Sequence, residues 1–248
     1  MFTNRPVLTE YEVRFPRLPQ GFDGFAIALI SDLHGQVAAS LPALLRKSQP
    51  DFIAITGDLV DARRQELEAA LAFVQRAAAM APCCYVPGNH ESRLPQYASL
   101  ASRLQESGVT LLEDRGISLS RGGGAIRLLG LRDPAFPGGI ERVGRVLDTA
   151  DTREGFHLLL SHRPELFPSY AQHGFDLILS GHAHGGQVRL PVVGGLFAPG
   201  QGFFPQWDGG VYTRSGSTLV VSRGLGNSAA PLRICNPPEL VKVVLRRE

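Results

Sequence analysis

Long apolar runs are missing from this sequence: no stretch approaches the roughly 18 consecutive apolar residues that a membrane-spanning helix needs. The start, Met1-Phe-Thr-Asn-Arg-Pro6, also lacks the charged head and apolar core of a signal peptide. Cysteine is scarce. Cys83, Cys84 and Cys235 are odd in number, two are adjacent, and their spacing fits no zinc motif, so reduced core thiols are expected. An excess of one charge is lacking too. The 25 Lys and Arg against 23 Asp and Glu leave a net charge of +2, with the basic residues scattered. That excludes the basic stripe of a nucleic-acid binder. A soluble cytoplasmic protein is the expectation.

What remains is a chain of 248 residues, 44% hydrophobic, long enough to bury a full core. No linker-like composition and no internal repeat divides it, so 1–248 is expected to be a single domain. Gly 28 and Pro 18 exceed ordinary usage and point to many tight turns.

Buried strands are expected at Phe25–Ile30, Asp51–Thr56, Cys84–Val86, Phe156–Leu160 and Asp176–Ser180. Val7–Phe15 alternates loosely and reads as an outer strand closed by Pro16 and Pro19. Apolar spacing of three and four predicts helices over Leu41–Gln49, Glu66–Met80, Tyr97–Ser107 and Arg142–Thr149. Val109–Leu112, Ile117–Ser120 and Ala125–Leu129 read as strands, with a hairpin turn at Gly122-Gly123-Gly124. Further strands are expected near Thr218–Ser222 and Glu239–Leu245. Strands alternating with helices predict an α/β protein.

Five strand ends deliver polar residues: Asp32 and His34, Asp58, Asn89 and His90, His162, and His182 and His184. In open α/β sheets ligands bind beyond the carboxyl ends of strands, which predicts that these groups converge. Asp32 and His34 share a face if their strand continues; the alternative for Ser31 or Asp32 is a helix cap. His157, inside a strand, and His173, at a helix end, read as structural. Without His90, the set offers two Asp, one Asn and four His, too many for one tetrahedral zinc site. Two cations sharing one carboxylate fit the count. Such a pair clamps the attacking and leaving oxygens of a displacement at phosphorus and makes a bridging hydroxide nucleophilic at neutral pH. His90 is then spare, available as general acid to the leaving oxygen.

Asp32-x-His34, Gly57-Asp58, Gly88-Asn89-His90-Glu91, His162 and Gly181-His182-x-His184 together resemble the motif blocks of the calcineurin-like metallophosphoesterases, in that family's order. The stretches Ser31–His34, Gly57–Asp61, Ser161–Glu165, His182–Gln187 and Arg223–Gly226 are similar to a bacterial subfamily often attached to membranes or cell walls. The resemblance implies a four-layer α-β-β-α sandwich of two mixed sheets with a di-metal site at the strand C-terminal edge. It implies one metal on Asp32, His34, Asp58 and His184, and another on Asp58, Asn89, His162 and His182, bridged by Asp58. His90 becomes the catalytic histidine, oriented by an acidic neighbour, here Glu91. The implied cofactors are two divalent metal ions among Mn, Fe, Zn and Ni, with Mn favoured. The implied activity is hydrolysis of a phosphate mono-, di- or pyrophosphate bond in a small-molecule phosphoester, a lipid-like one included. A UDP-2,3-diacylglucosamine pyrophosphatase and a cyclic nucleotide phosphodiesterase are alternatives; a scaffold that has lost activity is the non-enzyme alternative. Peripheral membrane contact goes with the resemblance, and no nucleic acid partner does.

One further segment stands out. Gly194–Tyr212 carries Leu196, Phe197, Phe203, Phe204 and Trp207 among glycines and prolines. It is expected to form an irregular loop beside the metals that helps select the substrate; the alternative is that its rings pack into the core.

Overall fold

The computed structural model describes residues 5–63, 67–227 and 233–248. Its first half runs β1 (Val7–Phe15), β2 (Ala26–Ile30), α1 (Leu41–Ser48), β3 (Phe52–Ile55), α2 (Glu68–Ala78), β4 (Cys83–Tyr85), α3 (Tyr97–Glu106) and β5 (Val109–Leu111). Then come β6 (Arg115–Arg121), β7 (Gly124–Gly130), α4 (Gly139–Asp148), β8 (Phe156–Leu160), α5 (Phe167–Gln172) and β9 (Leu177–Ser180). Four two-residue strands follow: β10 (Arg189–Leu190), β11 (Gly194–Gly195), β12 (Phe197–Ala198) and β13 (Gly202–Phe203). The last elements are β14 (Gly210–Arg214), β15 (Ser217–Val221) and β16 (Glu239–Arg247).

Two six-stranded mixed sheets result, ordered β1-β16-β2-β3-β4-β5 and β14-β15-β9-β8-β7-β6. The central strands β2, β3, β4, β8 and β9 are buried at every position, and the period-two alternation of side chains sends their residues into separate cores. In β2, Ile27 and Leu29 enter the core between the sheets, while Ala28 and Ile30 meet the helices outside. Leu158 and Leu160 of β8 do the same against Leu159, which packs outward on α4 and α5. Helices α1, α2 and α3 cover the first sheet and α4 and α5 the second. The result is the four-layer α-β-β-α sandwich.

Helix α2 buries Ala70, Leu71, Phe73, Val74 and Ala77, the face its spacing predicts. Glu66, where that helix was expected to begin, lies outside the described residues. Strand β1 is an edge strand, as its loose alternation suggested. Cys83 and Cys84 are buried free thiols, but Cys235 is exposed, so the expectation of core thiols fails there. Its φ of 51° places it in a turn rather than in an apolar layer. Among the described residues no helix is long and apolar enough to cross a membrane.

Within each sheet the strands that lead into the polar turns are parallel: β2, β3 and β4 in one, β8 and β9 in the other. Their carboxyl ends therefore lie on one edge. The two edges meet tightly. A Cβ at Gly181 would overlap Ser31 Oγ, so glycine is required where the turn after β9 crosses the turn after β2.

Candidate metal centre

Asp32 and His34 do not come together by strand alternation, because β2 ends at Ile30. They are instead aimed by backbone in the left-handed region: φ is 52° at Asp32 and 48° at His34. Asp58 (49°), His182 (67°) and His184 (49°) share that conformation. It is uncommon for residues with a side chain, and such strain concentrates at functional sites. Main-chain bonds fix it, with Asp32 N–H donating to Gly57 O and His34 N–H to Asp58 O, both at 3.0 Å.

These turns gather three overlapping groups of donors: Asp32, His34 and His184; His34, Asp58 and His90; and Asp58, His162 and His182. Asp58 belongs to two of them. Its Oδ2 lies 3.3 Å from His162 Nε2, 3.9 Å from His34 Nε2 and 4.0 Å from His90 Nε2. His34 Nε2 and His184 Nε2 are 3.1 Å apart, and His162 Nε2 faces His182 Nδ1 at 3.0 Å. Asn89 brings its Oδ1 to 3.2 Å from His162 Nε2. Every residue expected at the site is therefore present in one buried cluster. Imidazole nitrogens and carboxylates crowded this way share too few protons to satisfy one another, and divalent cations supply the missing positive charge. The donor set of N and O atoms suits them.

Electrostatics agree. Burial pushes Asp32 up to about 6, with Asp58 adding to the rise. Burial also works against the charge of Asp58, yet His162 and His34 hold it well below the usual carboxylate range. Burial lowers His34 to about 4 and takes His182 and His184 well below ordinary imidazole. Neutral imidazoles are what a cation requires of its donors. His162 differs: burial opposes its charge, but Asp58 and Asp32 raise it to about 10. In the metal-free protein its proton stands in for a cation.

Glu91 does not orient His90, contrary to expectation. It is fully buried and turned away, accepting the backbone N–H groups of Asp58 (2.9 Å), Val60 (3.2 Å) and Gly88 (2.7 Å). It thus braces the turns after β3 and β4 against each other. The acidic neighbour of His90 is Asp61, whose Oδ1 lies 3.4 Å from Nδ1; Ala62 N–H also points at Nδ1, at 3.3 Å. The Glu91 carboxylate is taken up by these backbone donors, which is why adjacency in sequence misleads here.

A cavity of about 300 Å³ opens over the cluster, lined by Asp58, Asn89, His90, His182 and His184 and rimmed by Arg63, Arg93 and Arg163. Arg163 is gripped by buried Asp133 at 2.5 and 3.0 Å and reaches His182 Nε2 at 2.9 Å. Sequence reasoning missed Asp133 and Asp61. Asp133 follows the end of β7, so the strand-end rule that found the others applied to it as well.

His173 is structural, bonded to Ser169 O and Asp148. His157 is buried beside Asp176, away from the cluster. The Gly194–Tyr212 segment is less irregular than expected, since β11, β12 and β13 run through it. Trp207 packs edge-on against Phe167 and joins the outer core of the second sheet. Phe197, Phe203 and Phe204 are exposed, and of this segment it is Pro199 that lines the cavity. The rings therefore do not face the site, because the hairpin of β12 and β13 turns them outward.

Among known families, the model of the calcineurin-like phosphoesterases matches residues 25–186. The uncharacterized metallophosphoesterase YkuE of Bacillus subtilis is 29% identical over 96% of this chain and 85% of its own length. A transmembrane protein with metallophosphoesterase domain from Danio rerio is 27% identical over 98% of this chain, which spans 58% of that protein. Among solved structures, the sulfate thiohydrolase SoxB of Thermus thermophilus superposes with a TM-score of 0.56 at 16% identity, over 92% of this chain and 57% of that one. The phosphopantetheinyl hydrolase PptH of Mycobacterium tuberculosis gives 0.52 at 15%, over 86% and 96%. Likeness at that level shows a shared fold.

Proposed function

The chain belongs to the calcineurin-like phosphoesterases, a family of metal-dependent phosphoester hydrolases, and from that premise we propose that it cleaves a small-molecule phosphate mono-, di- or pyrophosphate ester at the cluster centred on Asp58. The observation that carries this reading is the sharing of Asp58 between two donor groups. Asp32, His34, Asp58 and His184 would hold one divalent ion, and Asp58, Asn89, His162 and His182 the other. Manganese, iron, zinc and nickel all suit such an N/O set, with availability deciding among them; manganese is the ion the family resemblance favours. Such ions, when bound, polarise a phosphoryl oxygen and lower the pKa of water.

The chain's own residues supply the rest. Arg63, Arg93 and Arg163 place positive charge around the cavity and orient an anionic phosphoester. Asp133 keeps Arg163 in place through a two-point ion pair. His90 stands at the cavity with Nε2 inward and gives its proton to the departing oxygen, while Asp61 beside Nδ1 stabilises the imidazolium. The shared core between the two sheets supports reading 1–248 as one domain.

A substrate panel run with defined metals tests the proposal. It should contain nitrophenyl mono- and diesters, a nucleoside diphosphate ester carrying a lipid, and a cyclic nucleotide. Metal-dependent release from at least one is the expected result. Absence of turnover across the panel with metals bound would favour the scaffold alternative.

A further inference from the structure

Seven of the ten large hydrophobic side chains exposed among the described residues fall between Leu190 and Val211: Leu190, Val192, Val193, Phe197, Phe203, Phe204 and Val211. Six of them sit on two adjacent hairpins. Val192, at the tip between β10 and β11, is 108% exposed, and Phe203 and Phe204, on and just after β13, are 72% and 62% exposed. Val192 has a φ of 70° and Phe204 of 54°. A β-branched residue in the left-handed region is a true outlier. Here strain is tolerated at a tip where glycine or asparagine is usual, and an apolar side chain is held in water. Concentrated exposed apolar surface of this kind marks an interaction site.

The hairpins act as one unit. Leu196 donates its N–H to Val188 O at 2.8 Å, and its carbonyl accepts the Phe204 N–H at 2.9 Å. Phe197 and Phe203 pack edge-to-face across the second hairpin, ring centroids 5.4 Å apart. From Leu190 to Trp207 the sequence has no Asp, Glu, Lys or Arg. Its polar side chains are few, and Gln201 is already used at the base, holding both Trp207 N–H and Trp207 O at 2.9 Å. A protein interface of ordinary size carries about one hydrogen bond per 100–200 Å², and these tips offer almost no side-chain groups to make them. Apolar tips without charge match an acyl-chain boundary instead. Next to them, Pro199 lines the cavity, on whose rim Arg63 is paired with Asp61 and Arg163 with Asp133 and Glu165, while Arg93 meets no carboxylate among the described residues. An apolar contact beside the unpaired Arg93 guanidinium complements an anionic headgroup layer above hydrocarbon.

We propose that the hairpins Arg189–Gly195 and Phe197–Phe204 seat this protein on the surface of an anionic lipid bilayer, with the cavity opening toward the headgroups. The seating itself does not depend on the reaction proposed above; only the orientation of the cavity gives it meaning for that reaction.

The test is co-sedimentation of the full chain, without substrate, with vesicles of phosphatidylcholine alone and of phosphatidylcholine containing about 30 mol% phosphatidylglycerol. Binding to the anionic vesicles is expected, and weaker binding to the neutral ones. V192S/V193S and F203S/F204S should each weaken it by about tenfold or more, with melting temperature and nitrophenyl ester turnover unchanged. Two variant pairs guard against one failing to fold. Equal binding to both vesicles, undiminished binding of the folded variants, or no binding overturns the proposal. No binding together with a concentration-dependent dimer in ultracentrifugation would assign the patch to a second copy of the chain. Vesicle binding without hydrolysis of any substrate would leave the seating intact and remove the reaction.

Discussion

Asp58 Oδ1 accepts the backbone N–H of His90 at 2.9 Å, while Oδ2 of the same carboxylate faces His34 and His162. One side chain therefore organises the donor cluster and also fixes the segment that carries the proposed proton donor. Asp58→Asn keeps an oxygen for the His90 N–H but removes the negative charge that both donor groups share. Both metals should then weaken together, by more than about 100-fold, since even residues behind the ligands are worth 10–100-fold. Calorimetric metal titration of the variant checks this. Loss of one ion with the other retained would show that Asp58 serves a single site.

His90→Ala should leave metal content unchanged and lower turnover by roughly 10²–10⁴, the usual contribution of a general acid. The loss should shrink for nitrophenol esters, whose leaving group needs little protonation. Asp61→Asn loosens the imidazole and also Arg63, which Asp61 holds at 2.9 and 2.7 Å, so a smaller drop, shrinking in the same way for nitrophenol esters, is expected. Equal losses on good and poor leaving groups would argue against the acid role.

Glu91 satisfies three buried backbone donors. Each left unpaired costs about 1–3 kcal/mol, so Glu91→Ala should destabilise the fold by about 3 kcal/mol or more. For a chain of this size that lowers the melting temperature by roughly 6 °C or more. Glu91→Gln keeps one acceptor oxygen and should recover part of the loss. Thermal unfolding of both variants in the metal-free state is the measurement. A Glu91→Ala protein as stable as wild type, but with an altered pH profile, would return Glu91 to the role of orienting His90.

Metal loading should release protons. In the metal-free protein Asp58 and Asp32 raise His162, against the effect of burial, to about 10. A raised histidine stabilises the metal-free fold below its unfolded value, and that contribution is lost as pH rises through 10. A cation must displace this proton, so affinity should climb about tenfold per pH unit between pH 6 and 10. Below about 6, where burial leaves Asp32 protonated, a second proton steepens the dependence. Titrations in buffers of different ionisation enthalpy count the protons released. A pH-independent affinity contradicts the scheme.

Most of the fold was legible because the central strands are short apolar runs ending in polar turns, and α2 shows one unbroken apolar face. The convergence of the expected site residues was legible for the same reason: Asp32, Asp58, Asn89, His162 and His182 each follow a strand end. The way they are aimed was not. Alternation suggested a continuing strand at Asp32 and His34, whereas left-handed backbone turns them; Asp and His are enriched at positive φ, but too weakly to announce it. Sequence adjacency paired Glu91 with His90, but three-dimensional proximity belongs to Asp61. The aromatic segment was noticed, yet its outward direction depends on the hairpin of β12 and β13, whose two-residue strands leave too little pattern to read.

The most direct test of the account is the number of ions bound per chain. Metal-free protein should be loaded with manganese, freed of excess, and measured for bound metal and for ester hydrolysis on the same sample. Two equivalents per chain, with hydrolysis appearing alongside them, is the predicted result. A stoichiometry that stays at one or below, at saturating manganese and neutral to alkaline pH, would contradict a shared centre on Asp58.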